Sequence, residues 1–430
     1  MTYIDGSEIL EEIARAVAAG ADWPSSNATE LPLLQPALAI ARRMQRIFRL
    51  PVPDAPGLAF VGGQFDAATF EPSATGSGSV SVAGSSMEPM RAFLSCICEA
   101  VEYVSQLKAP EHDCIFDTAG NLATGLEHGQ LTALLAGMGA DPAIAAAQMH
   151  WIAATNISEG EKVLLPASLC LRNTDGAGRR DPSVKLSTGC GAGPTRATAM
   201  LHGLLELVER DAVAMWWLGG RRGKALACGA ESEAADYMAQ LRQQSSGRTS
   251  WLLDISTDLA IPSVAALSHD ADGRGLAFGF AARLSFEEAA KAAIRELCQM
   301  ELGLHLLSLK LHQQGAAALN SADKLYLRRA CDLDVGGCAL LHPKPGPGQS
   351  HAAFVATGND AARHLARHLG QHGITAFWAD MTRPALAIPA GKALAIGLQP
   401  YPSGIVSARL QRQIDETGGG FGLSDGVELM

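Results

Sequence analysis

The chain has 430 residues, 47% of them hydrophobic and 18% charged, with a formal net charge of −10. That length predicts two or three folding units, or one large domain with an appendage, and the composition excludes a disordered chain. The negative balance argues against nucleic acid as a partner, and no apolar run reaches the roughly 18 residues that would suggest a membrane span. The opening residues, Met1-Thr2-Tyr3-Ile4-Asp5-Gly6-Ser7-Glu8, lack the basic and apolar stretches of a signal peptide. Nine scattered cysteines without a Cys-x-x-Cys pair read as free thiols in a reducing compartment, so a cytoplasmic location is expected.

In chain order, residues 7–20 and 34–48 show helical periodicity, the second ending on Arg42, Arg43 and Arg46. The Pro-rich run from Leu50 to Gly57 follows. Residues 1–57 are therefore expected as an N-terminal helical extension and 58–430 as the main domain. Helical patterns recur over 92–103 and 199–210. Ser250–Ser256, Ile261–Leu267 and Leu276–Ala282 read as strands, with a turn at Asp270-Ala271-Asp272-Gly273. A long helix is predicted over 286–313, a loop over Pro343–Gly348 and a helix over 359–370. Ile374–Asp380 and Leu394–Leu398 return to strand. Strands and helices mix without strict βαβ alternation, so the expected class is α/β in the mixed, α+β sense.

One helical pattern occurs three times, with an Ala seven residues before a Glu and a Glu or Gln three residues after it. The three instances are Ala92…Glu99…Glu102, Ala199…Glu206…Glu209 and Ala289…Glu296…Gln299. A spacing of three puts both polar groups on one helix face. A solvated stripe is the plain alternative, but the flanking residues are almost all apolar, and a buried unpaired carboxylate costs several kcal/mol. Arg210 and Arg295 neutralise part of that charge. Mg²⁺, which takes oxygen ligands and is commonly shared with nucleotide phosphates, is the natural further counter-ion. No Walker A loop occurs in the chain.

Ser187-Thr188-Gly189-Cys190-Gly191-Ala192-Gly193, followed by Leu205-Glu206-Leu207-Val208-Glu209-Arg210-Asp211-Ala212 and Trp216, closely resembles the signature of the YcaO family. Ser95-x-x-x-Glu99-x-x-Glu102 and Glu296-x-x-Gln299 resemble its flanking ATP-binding motifs. Asp380-Met381-Thr382-Arg383-Pro384, Gly397-Leu398-Gln399 and Arg409 resemble its C-terminal landmarks. The resemblance runs from about 70 to 415. It implies a YcaO-type fold in which three acidic helices surround Mg-ATP. It also implies an ATP-dependent cyclodehydratase that phosphorylates a backbone amide oxygen of a precursor peptide, converting Cys, Ser or Thr into thiazoline or oxazoline. By the same resemblance Glu99, Glu102, Glu206, Glu209 and Glu296 would hold Mg²⁺ or order its ligands. Ser95, Arg210, Gln299 and Arg409 would contact the nucleotide. Ser187 and the Gly189–Gly193 loop would bring the backbone close to it. The implied partners are a ribosomal precursor peptide and a leader-binding, E1-like or TfuA-like protein; a homodimer stays open.

The chain departs from the family pattern at Tyr103, where Arg is usual, and at Gly84-Ser85-Ser86, where Gly-Lys-Gly is usual. It also ends without a Pro-rich tail. These departures leave thioamide or amidine formation, and a non-catalytic subunit, as alternatives. His364, His368 and His372 recur at i+4 on one helix. A metal stripe is weighed there against a solvated face. Trp216 and Trp217 read as core first and peptide groove second, and the N-terminal helices as packing or a docking surface.

Overall fold

The computed structural model describes residues 30–74, 78–172, 185–226, 228–245, 247–346 and 360–429, with parts of 4–15. Three antiparallel sheets organise it. The first is a meander of β1 (Ile4–Asp5), β2 (Arg46–Leu50), β3 (Ala59–Asp66) and β4 (Ser79–Ser86). The second runs β5 (Ile115–Asp117), β6 (Met149–Asn156), β12 (Thr375–Asp380), β13 (Ala390–Ile396), β8 (Cys190–Ala192), with β7 (Lys162–Pro166) also on β6. The third is a meander of β9 (Thr249–Asp254), β10 (Ser263–His269) and β11 (Ala277–Ala282). The helices used below are α1 (Leu34–Ala41), α2 (Pro89–Ser105), α3 (His128–Gly137), α4 (Arg196–Trp217), α5 (Cys228–Arg242), α6 (Phe286–Gln314), α7 (Ser321–Asp332), α8 (Ala361–Gln371) and α9 (Ala408–Thr417).

Each of the three long helices covers one sheet: α2 packs on β3 and β4, α4 on β8 and β13, and α6 on β10 and β11. Each also touches the next sheet around a ring, α2 meeting β8, α4 meeting β11 and α6 meeting β4. The threefold sequence pattern is thus a threefold arrangement of sheet plus helix. Helix starts are set locally. Thr195 accepts from the Thr198 amide at the head of α4, and Ser285 from Glu288 at the head of α6, satisfying amides that the helix leaves unpaired. Close packing depends on glycine. A Cβ built at Gly84, Gly191 or Gly279 would overlap helix backbone at Ala92, Ala199 or Ala293 respectively, so only a residue without Cβ lets strand and helix approach this far.

Strands β10 and β11 are buried nearly throughout, because α6 covers one face while Trp216 and Trp217 of α4 contribute to the core on the other. Both indoles are buried and donate to backbone, Trp216 Nε1 to Leu340 O at 2.9 Å and Trp217 Nε1 to Val427 O at 2.7 Å. They belong to the core. Beneath β10, the buried Glu301 carboxylate accepts from Arg242, Arg248 and Ser268, which keeps the charge fully paired.

The helix expected over 34–48 stops at Ala41, and Arg46 begins β2 instead. Arg46-Ile-Phe-Arg-Leu pairs along β3, and tertiary pairing overrides the helical spacing of the basic residues. Residue 57 therefore lies between two strands of one sheet. The Pro-rich run that precedes it is packed, with Val52 and Ala55 buried and Gly57 N–H donating to Leu241 O. Of the early helix over 7–20 only parts are described, and the loop at 343–348 is described as far as Gly346. Strand β13 starts four residues before the expected Leu394. Its Lys392, fully buried, donates to the carbonyls of Leu186 (2.5 Å) and Thr188 (2.6 Å), and a lysine disguises a buried strand when only sequence is read. No described helix is long and apolar enough to cross a membrane.

Gly191→Ala forces α4 away from β8 and is expected to cost about 1–3 kcal/mol. Urea denaturation reads this as a lowered midpoint at unchanged slope; an unmoved midpoint would show that the two backbones are not held this close.

Candidate active site

The polar stripes of α2, α4 and α6 converge on one cavity of about 700 Å³, within the usual range of about 300–1,000 Å³ for cofactor sites. It brings together Ser95, Glu99, Glu102, Glu206, Glu209, Arg210, Glu296 and Gln299. Arg91, Arg295, Arg283 and His202 also line it, with Ser85 and Ser86 of β4 and with Glu30 and Leu33 from the N-terminal region.

Four carboxylates are aimed by backbone amides. Glu99 accepts from Ala83 N–H (2.8 Å), Glu102 from Ala192 (2.9 Å), Glu206 from Gly189 (2.9 Å) and Glu296 from Phe280 (2.7 Å). In each case one oxygen is committed and the other is left for something else. Glu206 gives its second oxygen to Arg210 at 3.2 Å, and Arg210 also stands 3.6 Å from Glu209. The Glu102 contact joins α2 to the second sheet, so the carboxylates also tie the ring together.

Burial and crowding act on the acids together. Burial pushes Glu102 up to about 8, with the charges of Glu206 and Glu99 adding to it and the Ala192 amide opposing. Burial likewise raises Glu209 to about 8 against the pull of Arg210. Glu99 and Glu296 are also raised, chiefly by burial. Burial by itself would lower Arg210, yet Glu209, Glu206 and Glu296 hold it above its ordinary range. The protein's own cations leave the acids undercompensated, and oxygen donors with that deficit suit a hard divalent ion. Among the described residues no group of three His, Cys, Asp or Glu side chains is placed to hold a metal ion by itself. Mg²⁺ shared with phosphate oxygens fits such an open set better than a cage made of protein ligands only.

Ser187 and Arg409 do not line this cavity. Ser187 is exposed on the turn before β8. Arg409 bonds Asp211 (2.9 and 3.0 Å) and Asp258 (2.5 Å), and faces a second cavity of about 460 Å³ whose wall also includes Arg210. Gly189 and Gly191 serve the strand–helix approach and the Glu206 contact; of that loop Cys190, Ala192 and Gly193 reach the cavity. Tyr103 turns away from the cavity, edge-on to Phe65 and under the Arg172 guanidinium, so the departure from Arg leaves the cavity lining unchanged. Arg383 is a buried tie between Glu71 and Glu111 at 2.9 Å each. His364 is exposed, His368 bonds Leu259 O at 2.7 Å, and His368 and His372 rings lie 5.2 Å apart; the stripe gathers no third ligand among the described residues.

Sequence reasoning missed Arg283, Arg91 and His202. Arg283 lies in the corner between β11 and α6, where no periodic pattern marks it. His202 could have been found, because it sits four residues before Glu206 on the same helix face.

A family model described as YcaO cyclodehydratase, ATP- and Mg²⁺-binding, matches residues 83–399. Apart from Glu30 and Leu33, the cavity lining lies within the region that this family model describes as ATP- and Mg²⁺-binding, in a sequence without a P-loop. The chain belongs to the YcaO family. An uncharacterised protein of Methanothermobacter thermautotrophicus is 28% identical over 158 residues, 35% of this chain and 41% of that protein. An uncharacterised protein in the tfuA 3′ region of Rhizobium leguminosarum bv. trifolii is 33% identical over 122 residues, 27% and 28% of the two chains. The matches thus span less than half of either curated relative. Among solved structures, a heterocyclase in complex with substrate and cofactor superposes with TM-score 0.71 at 21% identity, covering 89% of this chain and 54% of that one. YcaO from Methanopyrus kandleri bound with AMPPCP and Mg²⁺ gives 0.58 at 16%, covering 87% and 94%. The E. coli microcin synthetase McbBCD complex gives 0.60 at 15%, covering 85% and 95%. These likenesses establish a shared fold.

Burial raises the Glu209 pKa from an ordinary 4.5 to about 8 in the folded protein, so the stability its protonated form contributes is fully present below about 4.5 and is lost progressively as pH rises through 8. In the nucleotide-free protein Glu209→Gln is therefore expected to change Tm little at pH 5 and to raise it at pH 8.5. Parallel thermal-unfolding curves for variant and wild type across that range would contradict the burial of this charge.

Proposed function

We propose that this enzyme uses Mg-ATP to phosphorylate the oxygen of a backbone amide in a ribosomally made precursor peptide, so that a Cys, Ser or Thr side chain closes on the carbonyl carbon to give thiazoline or oxazoline. The observation that carries this reading is the single cavity in which five carboxylates from three helices face Arg91, Arg210, Arg283 and Arg295. Such a lining suits a divalent cation and a polyphosphate together. An amide oxygen is a poor leaving group and its phosphate a good one, which is the chemical reason to spend ATP on it. When bound, Mg²⁺ supplies charge neutralisation on the transferred phosphoryl group.

Glu99, Glu102, Glu206, Glu209 and Glu296 would hold the ion or order its ligands. Arg210, Arg283 and Arg295 bind phosphate oxygens, and Arg283 makes up for the lysine missing at Ser85. Ser95 and Gln299 orient the nucleotide by hydrogen bonds. Arg409 acts at one remove: it fixes Asp211, the neighbour of Arg210 on α4, and so holds the wall between the two cavities. The region before residue 57 contributes Glu30 and Leu33 to the cavity rim. The heterocyclase with substrate and the microcin synthetase complex support a peptide substrate and a multi-protein assembly, and the relative from the tfuA 3′ region supports a TfuA-like partner. Free thiols at Cys96, Cys170, Cys190, Cys298 and Cys338, all buried, agree with a cytoplasmic location.

Isothermal titration with Mg-AMPPCP is expected to show saturable binding that disappears in Glu99→Gln and Glu206→Gln. Mass spectrometry then follows peptides encoded beside the gene, incubated with Mg-ATP with and without the neighbouring gene products. Loss of one water per modified residue supports ring formation. Exchange of oxygen for sulfur would move the reading to thioamide chemistry, and unaltered peptides under tight nucleotide binding would remove the peptide assignment.

A further inference from the structure

His202 projects from α4 one turn before Glu206, and its Nδ1 meets the Ala192 carbonyl oxygen at 3.2 Å. A carbonyl only accepts, so in the neutral ring Nδ1 carries the hydrogen and Nε2 keeps its lone pair. The ring is open to the cavity although it lies on a helix packed deep between sheets. The carbonyl that orients it is itself fixed, because the same Ala192 gives its N–H to Glu102 on α2. Among the described residues lining the cavity it is the one imidazole.

Its surroundings disfavour the imidazolium form. Burial lowers its pKa, the Arg283 guanidinium between β11 and α6 lowers it further, and the Ala192 carbonyl opposes both. Glu206 and Glu209 lie further along the same helix, and Glu99 and Glu102 face it from α2. Glu99, Glu102 and Glu206 are committed to backbone amides, and Glu206 also to Arg210. A neutral acceptor with a lone pair open to the cavity is what the peptide nucleophile requires, since Cys, Ser and Thr must lose a proton as they attack.

We propose that His202 Nε2 is the general base that takes the proton from the attacking Cys, Ser or Thr; this rests on the amide-activation reading above. As the S–H or O–H bond breaks, its hydrogen passes to Nε2 and the sulfur or oxygen bonds the amide carbon. The carbonyl π pair moves to oxygen, which attacks the γ-phosphorus while the bond to ADP breaks. The C–O bond then breaks with its electron pair leaving on phosphate, the nitrogen pair forms C=N, the nitrogen's hydrogen passes to the departing phosphate, and the proton held by His202 is released to solvent. Peptide and ATP become azoline, ADP and phosphate, with no oxidant or reductant involved.

The test compares wild type with His202→Gln, which keeps an N–H for the Ala192 carbonyl but cannot take up a proton, and with His202→Ala. Titration with Mg-AMPPCP is expected to give a dissociation constant close to wild type for His202→Gln. With a peptide that the wild type modifies, its kcat falls about 10²- to 10⁴-fold at unchanged KM for ATP. The acidic limb of the wild-type pH profile also disappears. ¹⁵N-histidine spectra of the wild type are expected to show a neutral ring with hydrogen on Nδ1 at pH 7. A His202→Gln enzyme turning over at the wild-type rate, an Nε2–H ring or an imidazolium at pH 7 each overturns the base assignment alone. A wild type that binds nucleotide but modifies no peptide overturns the amide-activation reading and this proposal with it.

Discussion

The structure depends on how closely three strands lie against three helices. Gly84, Gly191 and Gly279 each occupy a spot where a Cβ would collide with helix backbone. That approach brings glutamates of α2, α4 and α6 within hydrogen-bond reach of backbone amides on the neighbouring strands and loops. An amide N–H is a fixed donor with no charge to desolvate. It can therefore aim a buried carboxylate without neutralising it. The acids are positioned, yet their charge stays available.

That availability has an energetic consequence. Burial, with a smaller push from neighbouring carboxylates, raises the pKa values of Glu102 and Glu209, and Arg210 offsets only part of the effect at Glu209. Under the function proposed above, a divalent ion with phosphate would relieve this crowding. Mg-nucleotide binding would then be coupled to the stability of the ring, because Glu102 ties α2 to β8, Glu206 holds the Gly189 turn, and both face the cavity. By contrast, Glu301 and Glu71 are matched by arginines at short range and have no charge left over for a ligand.

The second cavity extends this logic outward. Its wall includes Arg210, and the Arg409–Asp211 bond fixes the residue next to Arg210 on α4. Lys392 holds the carbonyls of Leu186 and Thr188 just before the Gly189 amide that Glu206 uses. Parts of the chain nearly 200 residues past the central motif therefore decide how that motif is held, by hydrogen bonds at one remove from the cavity.

Spacing alone identified the three acidic helices, since the i, i+3 relation of Glu99 to Glu102 or Glu206 to Glu209 is a local property of a helix. The apolar flanks likewise marked those helices as buried, and a long central motif pointed to the family. Local periodicity could not show that α2 meets β8, α4 meets β11 and α6 meets β4. It could not show that Tyr103 is rotated out of the cavity while Arg283 and His202 enter it, or that Arg409 serves Asp211. It also misread 34–48, where pairing with β3 wins over helical spacing, and β13, where a buried lysine looks like surface. These outcomes rest on contacts between residues distant in sequence, made possible where glycine removes the side chain that would hold two backbones apart. Local spacing determined which residues share a helix face; tertiary packing decided what that face meets.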